Sequence, residues 1–99
     1  MEKVHVAQVG LGSWGPNLLR NFFHLSGCAV DYCCDLDTSR WETLANEYPG
    51  VRFTTDLETI LGDERVQALI IATPAPSHYK IARKALLAGK HVYIEKPIT

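Results

Sequence analysis

The stretch Val4–Asn17, "VHVAQVGLGSWGPN", decides the fold. Its first half is β-branched at Val4, Val6 and Val9 and closes on a glycine, as a strand running into a turn does. Its second half sets Gly10, Gly12 and Gly15 in Gly-x-Gly-x-x-Gly spacing. Beyond Pro16, "NLLRNFFHLSG" puts Leu18, Leu19, Phe22 and Phe23 on one helical face, with Gly27 as the expected C-terminal cap. In such a strand–turn–helix unit the first glycine permits the tight turn. The second removes a Cβ so that backbone can approach a pyrophosphate, and the third lets helix and strand pack closely. The phosphates then face the free N–H groups at the start of a helix. A bare match to this spacing is no more than a flexible turn; the flanking strand and helix make it a dinucleotide site. Ser13 and Trp14, inside the turn, are candidate contacts. Trp14 either flanks the cofactor or packs on the sheet edge, and both readings are open.

Outward from this unit, strand-like and helix-like segments alternate to the end of the chain. "CAVDYCCD" is the second strand, followed by a helix in "SRWETLANEYPG", where Ser39 and Glu42 have capping-box spacing and Pro49 and Gly50 close it. "VRFTT" is a short third strand. Thr55 and Glu58 repeat the capping-box spacing ahead of a short helix, "DLETIL", that ends at Gly62. "VQALIIAT" is continuously apolar, the mark of a central parallel strand buried on both faces, and it breaks at Pro74 and Pro76. The last helix, "SHYKIARKALLAG", turns Ile81, Ala82, Ala85 and Leu86 inward with Gly89 as its cap, and "HVYIE" is strand five. Alternation of this kind predicts an α/β, Rossmann-type doubly wound parallel sheet. Right-handed crossovers give its five strands the order 3-2-1-4-5.

At 99 residues the chain is one domain, 1–99, and its 46% hydrophobic and 21% charged residues are ordinary for a water-soluble fold. A net charge of −1 with scattered lysines and arginines offers nucleic acid no basic footprint. No apolar run approaches a membrane span and no signal-peptide layout opens the chain, so a cytoplasmic protein without a membrane partner is expected. Cys28, Cys33 and Cys34 lack metal-ligand spacing, no metal is expected, and the three read as small buried hydrophobes in a reducing compartment.

Asp35 lies twenty positions after Gly15, at the predicted end of strand two. A carboxylate there is placed to accept hydrogen bonds from the adenosine ribose hydroxyls, which favours NAD because a 2′-phosphate would meet a negative charge. Asp37 is a second candidate that could equally cap the following helix. Arg40, just past this turn, could receive a 2′-phosphate, so NADP stays open as the alternative.

"GLGSWGPN" and "IIATPAPSHYKIARKALLAGKHVYIEKP", with the acid between them, resemble the N-terminal half of the glucose–fructose oxidoreductase and inositol dehydrogenase family. The resemblance covers essentially the whole chain, and "GKHVYIEKP" after "ATP…SH" is its most specific part. "GSWGPNLLRNF" is similar to members that act on UDP-linked N-acetyl sugars. The resemblance implies a first domain that holds NAD(P) and a second α/β domain that holds a sugar, cyclitol or nucleotide-sugar. It places Lys96 beside the nicotinamide as the catalytic residue, bonded to the hydroxyl or ketone that exchanges hydride. On position alone Lys96 is either that or a solvated strand end. Glu95 orients the lysine or nearby backbone. Thr73, Pro74 and His78 match the family's loop past the nicotinamide ribose and diphosphate, with His78 open between cofactor contact and surface. His5, His24 and His91 are left as structural. On the family pattern the sixth strand and the substrate domain would follow Thr99, so the chain is read as an incomplete cofactor half, inactive alone, with strand five an open edge that favours self-association into a homo-oligomer. The other readings are a stand-alone NAD-binding module and a non-catalytic interaction domain.

Overall fold

β1, Val4–Val9, lies at the centre of the sheet with a parallel neighbour on each side. The computed structural model describes residues 2–12 and 14–95. β2 (Cys28–Cys34), β3 (Arg52–Thr54), β4 (Ala68–Ile71) and β5 (His91–Ile94) complete five parallel strands in the order β3-β2-β1-β4-β5. This is the predicted doubly wound topology. α1 (Gly15–His24) packs on one face; α2 (Leu57–Leu61) and α3 (Ala75–Leu87) pack on the other.

Residue alternation along the strands separates the two cores. Val6, Cys33 and Ile70 meet Leu18 and Leu19 of α1, whereas Ala7, Val9, Leu69 and Ile71 meet Ile60 of α2 and Ala85 of α3. β4 is buried on both faces, as its unbroken apolar run requires. In β2 the alternation slips. Val6 pairs with Val30 but Ala7 pairs with Tyr32, so Asp31 is an extra, bulged residue. The bulge lets Val30 and Tyr32 face opposite cores, and it sets the phase in which β2 reaches Asp35. Asp31 itself bonds His5 Nδ1 at 2.8 Å.

Several local expectations are corrected. The segment 39–50 is not an α-helix: single 3₁₀ turns form at Thr38–Arg40 and Ala45–Glu47, and Asp37 rather than Ser39 caps the first. This connection must return the length of a strand while Trp41 meets Phe53 and Tyr48 meets Phe23. The 3₁₀ form rises farther per residue than an α-helix, so it spans that distance with fewer residues. α2 is capped by Asp56, whose carboxylate accepts from the Glu58 N–H at 3.0 Å, not by Thr55. α1 ends on Leu25 in extended conformation, ahead of Gly27. α3 begins at Ala75, earlier than expected, with Pro76 in its first turn where a missing N–H costs nothing. Leu86 is 63% exposed, on the outer side of α3, while Ile81, Ala82 and Ala85 pack inward. Gly89, with φ +80°, reverses the chain after α3 as predicted.

Lys90 is buried between α3 and β5 and donates to the carbonyls of Asp63 and Val66, each at 2.7 Å. Two carbonyls and a charged donor tie the loop entering β4 to the turn entering β5. Leu69→Ala is expected to cost about 2–5 kcal/mol, because the site is fully enclosed. Leu86→Ala should stay within ~0.5 kcal/mol. Urea denaturation of both variants checks the inward and outward assignments together.

Candidate functional site

The C-terminal ends of β1, β2 and β4 open on a cleft of about 490 Å³. It lies where the strand order reverses, the position at which open α/β sheets bind ligands. Gly10 and Gly12 form one wall, Asp35, Leu36, Asp37 and Arg40 the second, and Thr73, Pro74 and one stripe of α3 the third.

The three glycines do different work. Gly10 has φ +109°, and a Cβ there would lie 2.6 Å from the Ala72 carbonyl oxygen at the end of β4. A Cβ on Gly15 would lie 2.8 Å from the Gly10 carbonyl oxygen. A Cβ on Gly12 meets nothing closer than an Arg40 guanidinium nitrogen at 3.6 Å. Gly10 and Gly15 are therefore required by the protein's own packing, whereas the space over Gly12 is open to the cleft. α1 begins directly after this turn. Trp14, its N-cap residue, makes no side-chain capping bond, and no acidic residue occupies the first turn. The positive end of that helix is thus left without a protein anion in its first turn.

Asp35 is nearly buried, its side chain 12% exposed. One carboxylate oxygen accepts the Leu11 N–H at 2.7 Å, and the other accepts the Asp37 N–H at 2.8 Å. Each oxygen keeps a second lone pair for a ligand hydroxyl. Asp37 takes the Ser39 N–H and hydroxyl at 3.1 and 2.6 Å, and these bonds, the hydroxyl foremost, hold its carboxyl below the usual range. Arg40 stands 3.4 Å from Asp37 and 3.9 Å from Asp35, half-exposed at the cleft mouth.

Thr73 lines the third wall. Its hydroxyl oxygen is buried without a partner among the described residues, and its carbonyl accepts the His78 Nε2–H. Ser77 donates to the Pro74 carbonyl at 2.8 Å. The side chain of His78 is thereby spent on the loop backbone. Glu95 continues β5 through an N–H bond to the Ile71 carbonyl at 3.0 Å, and its carboxylate accepts from the Tyr93 hydroxyl. Trp14, 50% exposed, His78 and Glu95 all lie off the cleft walls. Ser13 and Lys96 fall outside the described residues.

One stripe of cleft residues and one buried residue behind the cleft escaped sequence reading. Ser77, Lys80, Ile81 and Lys84 line the cleft from α3 at i, i+3, i+4 and i+7, a helical stripe visible in the periodicity once α3 is known to border the site. Gln8 sits in β1 with no exposed surface, on the face shared by Val6. Its only sequence signal is a polar residue inside an otherwise apolar run.

Cys34 lines the cleft and Cys33 lies behind it. Burial foremost, then the Asp35 charge, pushes the Cys34 thiol up to about 11. Burial likewise raises Cys33. No cluster of three or more metal-ligating side chains occurs among the described residues. No helix among them is long and apolar enough to cross a membrane.

Residues 4–99 match the family model described as "Oxidoreductase family, NAD-binding Rossmann fold". The chain is 33% identical over 107 residues to glycosyl hydrolase family 109 protein 2 of Shewanella sp. (strain ANA-3), covering 99% of this chain and 24% of that protein. It is 32% identical over 102 residues to the scyllo-inositol 2-dehydrogenase (NADP(+)) of Bacillus subtilis (strain 168), covering 98% and 27%. Among solved structures, GenD2 from gentamicin A biosynthesis, in complex with NAD, superposes with a TM-score of 0.89 at 33% identity, covering 98% of this chain and 28% of that one. The chain thus spans about a quarter of the length of the curated relatives it matches.

Gly10→Ala and Gly15→Ala are expected to lower the thermal midpoint sharply, whereas Gly12→Ala should leave it within a degree or two. A melt series that ranks Gly12 with the other two would refute the division of roles. In the folded chain, Cys33 and Cys34 should resist a thiol reagent at pH 8 and react once urea unfolds the protein. The unfolded chain loses its thiol protons first. Stability from these groups is therefore whole below ~pH 8.5 and falls as pH rises toward 11, which alkaline denaturation series would show.

Proposed function

The chain belongs to the NAD-binding oxidoreductase family of glucose–fructose oxidoreductase and inositol dehydrogenase, and from that premise we propose that it supplies the cofactor half of a dehydrogenase. The substrate class proposed is a sugar, cyclitol or nucleotide-sugar that exchanges hydride at a hydroxyl or ketone carbon. The observation that carries the cofactor reading is the contrast among the glycines. Packing forbids a side chain at Gly10 and Gly15, while a Cβ on Gly12 would meet only ordinary contacts, the nearest at 3.6 Å, and Gly12 lines the cleft. A pyrophosphate fits there. Its charge would face the uncapped start of α1, and the ribose hydroxyls would meet the remaining lone pairs of Asp35. The Thr73 hydroxyl, without a partner among the described residues, supplies a further buried polar group on the opposite wall.

NAD, once bound, supplies the hydride acceptor. The protein's part is to hold it with the nicotinamide toward the ends of β4 and β5. Lys96 follows Glu95 in sequence, and we assign it the contact with the reacting oxygen. An ammonium there stabilises developing alkoxide charge. Arg40 favours a second reading for the adenosine end. Its guanidinium lies 3.4 Å from Asp37 and 3.9 Å from Asp35 at the cleft mouth, and in this second reading it receives the 2′-phosphate.

Calorimetric titration of the chain with NADH and NADPH tests both. Binding of NADH is expected, and Gly12→Val should reduce it by at least tenfold by filling the open volume. Asp35→Ser should narrow or reverse the preference for NADH, a charged contact being worth roughly 1.5–3 kcal/mol. Equal NADH affinity in wild type and Gly12→Val would remove the turn from the account. An unchanged cofactor ratio in Asp35→Ser would move selectivity to Arg40.

A further inference from the structure

We infer that Gln8 is a positioning residue for the phosphate-binding turn, holding its first peptide in the orientation that receives a diphosphate. This rests on the cofactor reading above. The Gln8 side chain lies beneath the turn, and its Nε2 donates to the Gly10 carbonyl at 3.0 Å and to the Gly15 carbonyl at 2.8 Å. One amide thus grips the first and last glycines together. The orientation of that amide is fixed by chemistry, since its oxygen would otherwise oppose two carbonyl oxygens.

The consequence follows from peptide planarity. In a trans peptide the C=O and the N–H point opposite ways. In the unit joining Gly10 and Leu11, the carbonyl is held by Gln8 and the N–H by Asp35 at 2.7 Å. Both ends are clamped, one from the core and one from the cleft side. Gly10 has no side chain to oppose rotation of this peptide, and a rotated unit would aim its carbonyl oxygen at the cleft, against phosphate oxygens. Gln8 closes that alternative.

Packing within the strand core does not account for a glutamine at this position. Gln8 is wholly buried in the central strand, and its Oε1 has no partner among the described residues. That unsatisfied acceptor is a cost, offset only by the two bonds its Nε2 makes to the turn, so the glutamine is tied to the turn and not to the core around it. Rules broken locally in this manner mark functional positions. The Asp35 contact alone leaves the carbonyl end free, so the two clamps are complementary rather than redundant.

The test uses the full 99-residue chain with Gln8→Met, which keeps length and volume but removes both donors. Affinities for NADH and ADP-ribose, by calorimetry, are expected to fall about tenfold, the loss of one to two net hydrogen bonds. Affinity for adenosine, followed by NMR shifts, should change less than twofold, because adenosine lacks the diphosphate that the held peptide receives. Unchanged NADH affinity would overturn the inference, and so would equal losses for adenosine and ADP-ribose, which indicate general damage. A wild-type chain that binds neither NADH nor ADP-ribose would overturn the cofactor reading itself. A second measurement needs no variant. Side-chain amide exchange of Gln8 in the wild type should be far slower than that of exposed Gln67, and slower still with NADH bound. Equal rates for the two glutamines would overturn the inference even if Gln8→Met failed to fold.

Discussion

The contact between Gly10 and the end of β4 is the constraint on which the rest of the site depends. The turn leaves β1 so close to the Ala72 carbonyl that even a methyl group would collide with it. That closeness seals the sheet between its two central strands and forces the chain upward before it can enter α1. Gly15 then packs on the Gly10 carbonyl, so the turn is a folded unit with its own interior. Gly12, between them, lines the cleft with no such close contact. An anion site built this way owes its shape to packing, with Gln8 from the core and Asp35 from the neighbouring strand holding the peptide groups in place.

Electrostatics around the cleft is more evenly divided than one acidic residue suggests. Asp35 and Asp37 stand beside Arg40 on one wall and share the cleft with Lys80 and Lys84 of α3, although Lys84 also stands 3.4 Å from Glu58. The two acids are themselves occupied: Asp35 binds two backbone N–H groups, and Asp37 caps the following 3₁₀ turn. The ribose role proposed for Asp35 would therefore join structure to selectivity. Replacing it would disturb the turn as well as the proposed ribose contact, so a change of cofactor preference and a loss of affinity should arrive together. Burial foremost, and the same carboxylate, oppose thiolate formation at the neighbouring thiols, which accords with Cys33 and Cys34 acting as apolar wall.

The sheet was legible because its signals are strong and local: β-branched runs, a glycine motif in context, and an unbroken apolar β4. Its order followed from handedness. What escaped was set by tertiary demands. The segment after Asp37 carries capping and helical spacing, yet it must span a strand length while docking Trp41 and Tyr48, and it tightens into 3₁₀ turns. Leu86 is expected to face inward with Ile81, Ala82 and Ala85, but α3 is rotated so that those three take the contact and Leu86 faces out. The bulge at Asp31 has no sequence mark beyond a charged residue in mid-strand, and it decides which way the end of β2 faces. Within the site, glycines and Asp35 could be placed by spacing. Gln8 could not, since its role depends on carbonyls brought under the turn by folding, and the lysines of α3 needed the helix phase before they could be assigned to the cleft.

A crystal structure of the chain with NADH tests directly whether the turn is a preformed cradle. The expected result is the pyrophosphate over Gly12 and the ribose on Asp35. Gly10, Leu11, Gly12 and Gly15 should be unmoved, with the Leu11 N–H still on Asp35 and the Gly10 carbonyl still on Gln8. A pyrophosphate bound away from Gly12, or a turn whose first peptide has rotated to admit it, would contradict the account.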